Sequence, residues 1–124
     1  MSDLDALGHV NNGVIYSYYD TGRLHYFRQL GESVCWETFD KVVVHTECDF
    51  KEPILFQDEI RVETEIIEFG NKSFKMMQQI VDNHTGNVKG TCLSVLSGYD
   101  RETHTSKLIS NEFKEKAESF QKIE

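Results

Sequence analysis

The first dozen residues, MSDLDALGHVNN, hold the densest set of groups able to do chemistry. Asp5, His9, Asn11 and Asn12 stand directly ahead of a long aromatic-rich stretch. A turn accounts for Gly8 and one asparagine, and a helix start accounts for Asn12 or a nearby aspartate. Neither needs all four residues together. A carboxylate is anionic at neutral pH, so Asp5 can serve as a nucleophile or as a general base on water. Backbone N–H groups at a helix start are unpaired and lie at the positive end of the dipole. Those near Asn12 and Gly13 can therefore hold a developing negative oxygen. His9 can position the acid, the water or the helix entry by hydrogen bonding. The plainer role for Asp5 is electrostatic support of the helix start, ~0.3–1 kcal/mol. Asp3 reads as a turn or surface residue.

Elsewhere the chemical signals are sparse. His25 falls in the helical stretch, His45 on a strand, and His84 and His104 in turns. There is no His-x-x-x-His and no paired-cysteine spacing, so no metal site is expected. Gly-rich phosphate loops and a Gly-x-Ser-x-Gly elbow are absent too. Asp20 lies three residues before Arg23, the spacing of a helical surface ion pair that contributes ~0.2–0.5 kcal/mol.

Residues 12 to 30, NGVIYSYYDTGRLHYFRQL, must carry the opening residues on a helix. Ile15, Tyr18, Tyr19, Gly22, Tyr26 and Leu30 recur at three- and four-residue spacing and form one apolar stripe. Asn12 is the expected N-cap and Gly31 the expected stop. Gly22 inside the stripe weakens the helix by about 1 kcal/mol against Ala, and its small size admits a close neighbour. Tyr16, Tyr18, Tyr19, Tyr26 and Phe27 either line an aromatic pocket or fill the core.

Beyond Trp36 the period changes to two. In KVVVHTECDF, Val42, Val44, Thr46, Cys48 and Phe50 are expected on one face. In EIRVETEIIEF, Ile60, Val62, Thr64 and Ile66 alternate with Arg61, Glu63 and Glu65, a strand with one wet face. In SFKMMQQIV, Gln78 interrupts Phe74, Met76 and Ile80. VKGTCLSVLSGY makes a fourth strand, and FGNKS, DNHTGN and DRETHT are turns. SNEFKEKAESFQ closes as a short helix capped by Ser110 or Asn111. Short turns pair these strands antiparallel, giving an α+β layer pair of one long helix on one sheet.

The chain has 124 residues, one domain's length, with 39% hydrophobic residues and a formal net charge of −8. That charge argues against broad contact with nucleic acid or anionic membrane. No apolar run approaches the ~20 residues of a membrane span, and no signal-peptide pattern opens the chain. Three unpaired cysteines, Cys35, Cys48 and Cys92, suit reduced thiols in a cytoplasmic protein.

DALGHVNNGVIYSYYDTGR resembles the hotdog-fold acyl-CoA thioesterases of the 4-hydroxybenzoyl-CoA thioesterase type. The matching positions are Asp5, Gly8, His9, Val10, Asn11, Asn12, Tyr18 and Arg23, and FGNKSF is similar to the family's turn between its third and fourth strands. The resemblance implies one hotdog domain over residues 1–124, with an antiparallel sheet of four to five strands wrapped around one long central helix. Only MSDL precedes Asp5, so the family's strand ahead of the aspartate is expected to be missing or truncated. Ile15 stands where members often carry Tyr, a change of packing.

The implied activity is hydrolysis of acyl-CoA thioesters to free acid and CoA. Asp5 would be nucleophile or general base, His9 would position it, and the amides near Asn12 and Gly13 would polarise the carbonyl. The implied substrate contacts are Asn11, Tyr18, Lys72 and Ser73, with Lys72 on a CoA phosphate. CoA is part of the substrate, and no separate cofactor is implied. Acyl-carrier-protein thioesters are the alternative substrate. A second hotdog thioesterase group, similar over NNGVIYSYYD, would assign the acid to Asp20. A third reading is a non-catalytic hotdog module that binds acyl-CoA. Hotdog proteins pair their sheets, so a homodimer or homotetramer is expected, with the site between subunits.

Overall fold

The computed structural model describes residues 12–34, 39–55 and 57–122, with the backbone alone for Asn12 and Lys122. Asp5, His9 and Asn11 lie outside the described residues. The chain runs α1 (Asn12–Gln29), β1 (Lys41–Phe50), β2 (Ile60–Phe69), β3 (Ser73–Asp82), β4 (Val88–Asp100), β5 (Thr105–Lys107) and α2 (Asn111–Lys122).

The stop of α1 and the start of α2 follow local rules, whereas Asn12, the expected N-cap, is the first helical residue of α1. Gly31 adopts φ +81°. Its N–H bonds the Arg28 carbonyl at 3.0 Å, and the Glu32 N–H reaches the Phe27 carbonyl at 3.0 Å. This is the Schellman pairing that a glycine after the helix permits. At the start of α2 the Ser110 hydroxyl accepts the Phe113 N–H at 3.1 Å, so Ser110 is the cap.

All neighbouring strands are antiparallel, in the order β1-β4-β3-β2, and β5 pairs with the end of β4. β5 was not expected after the DRETHT turn, because three residues are too few to show a period. The β1 alternation also needs correction. A bulge between Val43 and His45 inserts Val44 as an extra residue opposite Leu96 and Val95. Lys41 and Val43 therefore share the inward face with Thr46, Cys48 and Phe50, while Val44 is 60% exposed. One inserted residue exchanges the faces of everything before it.

The sheet buries one face under α1, and α2 covers one end of the same face. Around the last turns of α1, Tyr26, Phe27 and Leu30 pack with Ile66, Phe74, Met76, Leu96, Phe113 and Ala117. Around its first turns, Ile15 and Tyr19 pack with Ile54, Ile80 and Cys92. Tyr19, Tyr26 and Phe27 are thus core residues, whereas Tyr16 is 43% exposed.

A polar belt separates these two apolar clusters. Arg23 takes a buried position in the helix stripe, and Gln78 is 1% exposed on the inward face of β3. Gln78 therefore continues the buried row of Phe74, Met76 and Ile80 instead of breaking it. Arg23 donates to Gln78 Oε1 at 3.0 Å and to the Ser94 hydroxyl at 3.1 Å. The Gln78 amide donates to the Tyr19 carbonyl at 2.9 Å and to the Thr64 hydroxyl at 3.1 Å. Buried polar groups are tolerated when their hydrogen bonds are made in this way.

Gly22 faces this belt. A Cβ there would lie 2.9 Å from Gln78 Nε2 and 2.9 Å from Val62 Cγ1. The close neighbours are side chains of β2 and β3, and the Gln78 amide is held by two bonds. Gly22→Ala should gain about 1 kcal/mol in helix propensity and lose about 1–3 kcal/mol to overpacking. The expected net result is a less stable protein by urea melting; a more stable variant would show that the belt yields without cost.

Four elements or loops meet at an ion cluster beside α2. Lys41 is 6% exposed and contacts Glu32 at 3.0 Å and Asp40 at 2.8 Å. Its Nζ also lies 4.4 Å from the Phe113 ring centroid. Lys116 pairs with Glu32 at 3.0 Å and Lys107 with Asp40 at 2.8 Å. Burial by itself would raise the Glu32 carboxyl, but hydrogen bonds from Lys116 and Lys41 outweigh it and hold it below its ordinary value. Against the same upward push of burial, Asp40 is held down by Lys107 and Lys41. A carboxyl depressed in the folded state favours folding above its unfolded value and loses that contribution as pH falls through the folded one. Melting temperature is therefore expected to drop as pH falls below the ordinary values of 4.5 and 3.8. Lys41→Met should shrink that drop; equal acid sensitivity in both proteins would remove the cluster as its cause.

Candidate active site

α1 begins at Asn12 and has no acidic side chain in its first turn. The positive end of the helix dipole there is therefore not offset by a helical carboxylate. Gly13 is exposed there, and its carbonyl accepts from the Ser17 hydroxyl at 3.3 Å. Tyr16, one turn on, meets Phe50 at the end of β1 edge to face, with centroids 6.3 Å apart. Beneath this turn Cys48 and Cys92 face each other from β1 and β4.

Tyr18 is half-buried. With Thr21, Gly22 and His25 of α1 and Ile60 and Val62 of β2, it lines an open, mostly apolar groove of about 440 Å³. Asp20 forms an ion pair with Arg23 while its own side chain stays 67% exposed. That pairing accounts for Asp20 as a surface partner of a buried arginine.

Lys72 and Ser73 lie at the other end of the sheet. Lys72 is exposed, and its carbonyl accepts the Gly98 N–H at 2.8 Å. The Ser73 carbonyl accepts the Gly70 N–H at 2.7 Å, closing the turn into β3. The first turns of α1 pack near Ile80, whereas the turn leads into Phe74, which packs with Tyr26 and Phe27. Ile80 lies seven positions along β3 from Ser73, about 23 Å of extended chain. Within one chain, then, the start of α1 and the Lys72–Ser73 turn are not brought together.

The strand and turn histidines sit in local pairs: His45 with Glu47, His84 with Glu59, and His104 with Tyr99. Among the described residues no three His, Cys, Asp or Glu side chains cluster as metal ligands. No helix among them is long and apolar enough to cross a membrane. The polar belt escaped sequence reading, although Thr46, Thr64, Gln78 and Ser94 all occupy inward positions of alternating strands. That shared parity was the available signal.

A family model described as the thioesterase-like superfamily matches residues 1–117, taking in the Asp5–Asn12 string, α1 and all five strands. The chain belongs to that superfamily. A thioesterase from Thermus thermophilus, solved with coenzyme A and Zn, is 30% identical, with a TM-score of 0.86 over 97% of this chain and 86% of that one. A predicted thioesterase from Bacillus stearothermophilus is 23% identical, with a TM-score of 0.84 over 93% and 85%. The BH1999 gentisyl-coenzyme A thioesterase is 23% identical, with a TM-score of 0.80 over 94% and 92%. No curated protein sequence matches the chain. The expected α+β hotdog fold is that of this superfamily member, with a long helix at α1, and the expectation of a thioester hydrolase is met at the level of family.

Proposed function

We propose that this superfamily member hydrolyses acyl-CoA thioesters to a free acid and CoA. The observation that carries the reading is the superfamily match spanning a string in which Asp5 and His9 lead into a helix start free of first-turn acids. The thioester carbonyl oxygen accepts from the backbone N–H groups near Asn12 and Gly13. As the carbonyl carbon is attacked, negative charge grows on that oxygen, where fixed amides stabilise it most. Asp5 either attacks the carbon directly or removes a proton from the attacking water, and His9 positions it. Collapse of the tetrahedral intermediate breaks the C–S bond and releases the CoA thiolate. Asn11 and Tyr18 hold the acyl portion, Tyr18 from the wall of the α1–β2 groove. CoA enters as part of the substrate, and no further cofactor takes part.

Lys72 holds a CoA phosphate, and Ser73 orients the ligand beside it. Their distance from the start of α1 within one chain supports a site completed by a second copy. Among the described residues β1 is an edge of the sheet, and Val43, Val44 and Phe50 on it are exposed apolar side chains. An edge of that kind favours pairing with another chain, so a homodimer or homotetramer is the working assembly. The proposed location is the cytoplasm, where acyl-CoA and acyl-carrier-protein thioesters both occur.

The test is a panel of acyl-CoA and acyl-carrier-protein thioesters, with the released thiol detected. Tight binding without thiol release would replace the enzyme by a binding module. Lys72→Ala should raise KM about three- to tenfold with kcat nearly unchanged, since an exposed charge contact contributes ~1 kcal/mol of uniform binding. An unchanged KM would remove Lys72 from the phosphate site.

A further inference from the structure

Cys48 and Cys92 are far apart in the chain but are register partners across β1 and β4. Just past that register the Lys51 N–H donates to the Lys89 carbonyl at 2.9 Å. Counting back in alternation makes Cys48–Cys92 a non-hydrogen-bonded pair, where opposite Cα atoms stand about 4.5 Å apart and side chains are closest. That spacing falls within the range a disulfide spans, roughly 4.4–6.8 Å. The Cys48 thiol donates to Cys92 Sγ with the sulfurs 2.8 Å apart, and both cysteines are free. The inward row puts them under the first turns of α1, where Cys92 packs with Ile15, Tyr19, Ile54 and Ile80. The Tyr19 hydroxyl is buried there without a hydrogen-bond partner among the described residues. The hydrolysis proposed above uses neither sulfur.

We infer that Cys48 and Cys92 form a two-electron redox site, which a hydroperoxide converts to a cross-strand disulfide between β1 and β4. Cys48 is half-buried and Cys92 is 1% exposed, so the oxidant meets Cys48 first. With hydrogen peroxide, the Cys48 sulfur attacks one peroxide oxygen and the O–O bond breaks. Cys48 becomes a sulfenic acid, and the other oxygen leaves as water. The Cys92 sulfur then attacks the Cys48 sulfur. The S–S bond forms, the S–O bond breaks, and a second water leaves. The two thiol protons end in the two waters, and the peroxide takes up the two electrons that the thiols lose. The register is already that of the product, so the step needs no strand to move.

Burial, then the contact with Cys92, pushes the Cys48 thiol up to about 12. The thiolate is the attacking form, so the first step is slow at neutral pH and quickens as pH rises.

The test treats the full-length Cys35→Ser protein with hydrogen peroxide at neutral and alkaline pH, followed by thiol titration and non-reducing peptide mapping. The expected result is loss of both thiols and a linked peptide joining the Cys48 and Cys92 segments. That peptide is lighter than its two parts by two hydrogens, forms faster at alkaline pH, and is released by dithiothreitol. In a Cys92→Ser variant, dimedone should label Cys48. The same peptide map on the unmodified protein reports the link if Cys35→Ser fails to fold. A link through Cys35, over-oxidation of Cys48 without a linked peptide, or retention of both thiols would each overturn the inference.

Discussion

Asp5→Asn is expected to lower turnover by about 10²–10⁴-fold, the usual contribution of a positioned base, while the melting temperature stays nearly constant. Asparagine keeps the size and one acceptor of aspartate, so any capping or turn role survives. What it lacks is the charge that either attacks the carbonyl or takes a proton from water. A purely electrostatic role at the helix start would cost only ~0.3–1 kcal/mol of stability and leave hydrolysis intact. The two measurements together therefore separate the roles. Undiminished hydrolysis would remove Asp5 from the chemistry. Asp20→Asn is the control, because Asp20 is exposed and already paired with Arg23; its turnover is expected to stay close to that of the parent. A collapse of activity in Asp20→Asn with Asp5→Asn active would move the acid into the helix. Single turnover in isotopically labelled water then tests Asp5 as a nucleophile. Label entering the Asp5 carboxylate marks a nucleophile whose anhydride is opened by water at the Asp5 carbon.

Arg23→Met is expected to cost about 2–4 kcal/mol of stability, as for a buried charged hydrogen-bonding group removed from its partners. Methionine fills much of the same volume, so the loss reports the hydrogen bonds. Gln78 Oε1 and the Ser94 hydroxyl lose the guanidinium, although Ser94 keeps its contact with Thr46 at 3.1 Å. Urea melting reads the change as a lower midpoint at unchanged slope. The double variant Arg23→Met/Gln78→Met should be less destabilised than the sum of the singles, because it removes both sides of one buried contact. Additive losses would mean that the belt does not act as a unit. A loss below about 0.5 kcal/mol, the size of an ordinary surface substitution, would mean that water replaces the guanidinium freely.

Much of the architecture is decided by neighbours in sequence. The period of residues 12 to 30, the Gly31 stop, a cap at Ser110 or Asn111 and the alternation in β2 depend on backbone geometry within a few residues. They appear in the structure as read. The Asp5–Asn12 string is local in the same sense, and it lies within the residues that the superfamily model matches. Parity in β1 was not legible, because a bulge at Val44 depends on what β4 presents opposite it. The burial of Arg23 and Gln78 was not legible either. Each looks misplaced on its own element and becomes acceptable only when α1, β2, β3 and β4 supply partners together. Cys48 and Cys92 became a pair only through strand register. The sequence alone therefore determined the two helices, the four long strands and the chemical identity of the string ahead of α1. Tertiary structure decided which polar groups are buried, which sulfurs meet, and that Lys72 stands a strand's length from the start of α1. Local rules bring together residues a few positions apart, whereas these outcomes require contacts between segments that only the packed sheet and helix place side by side.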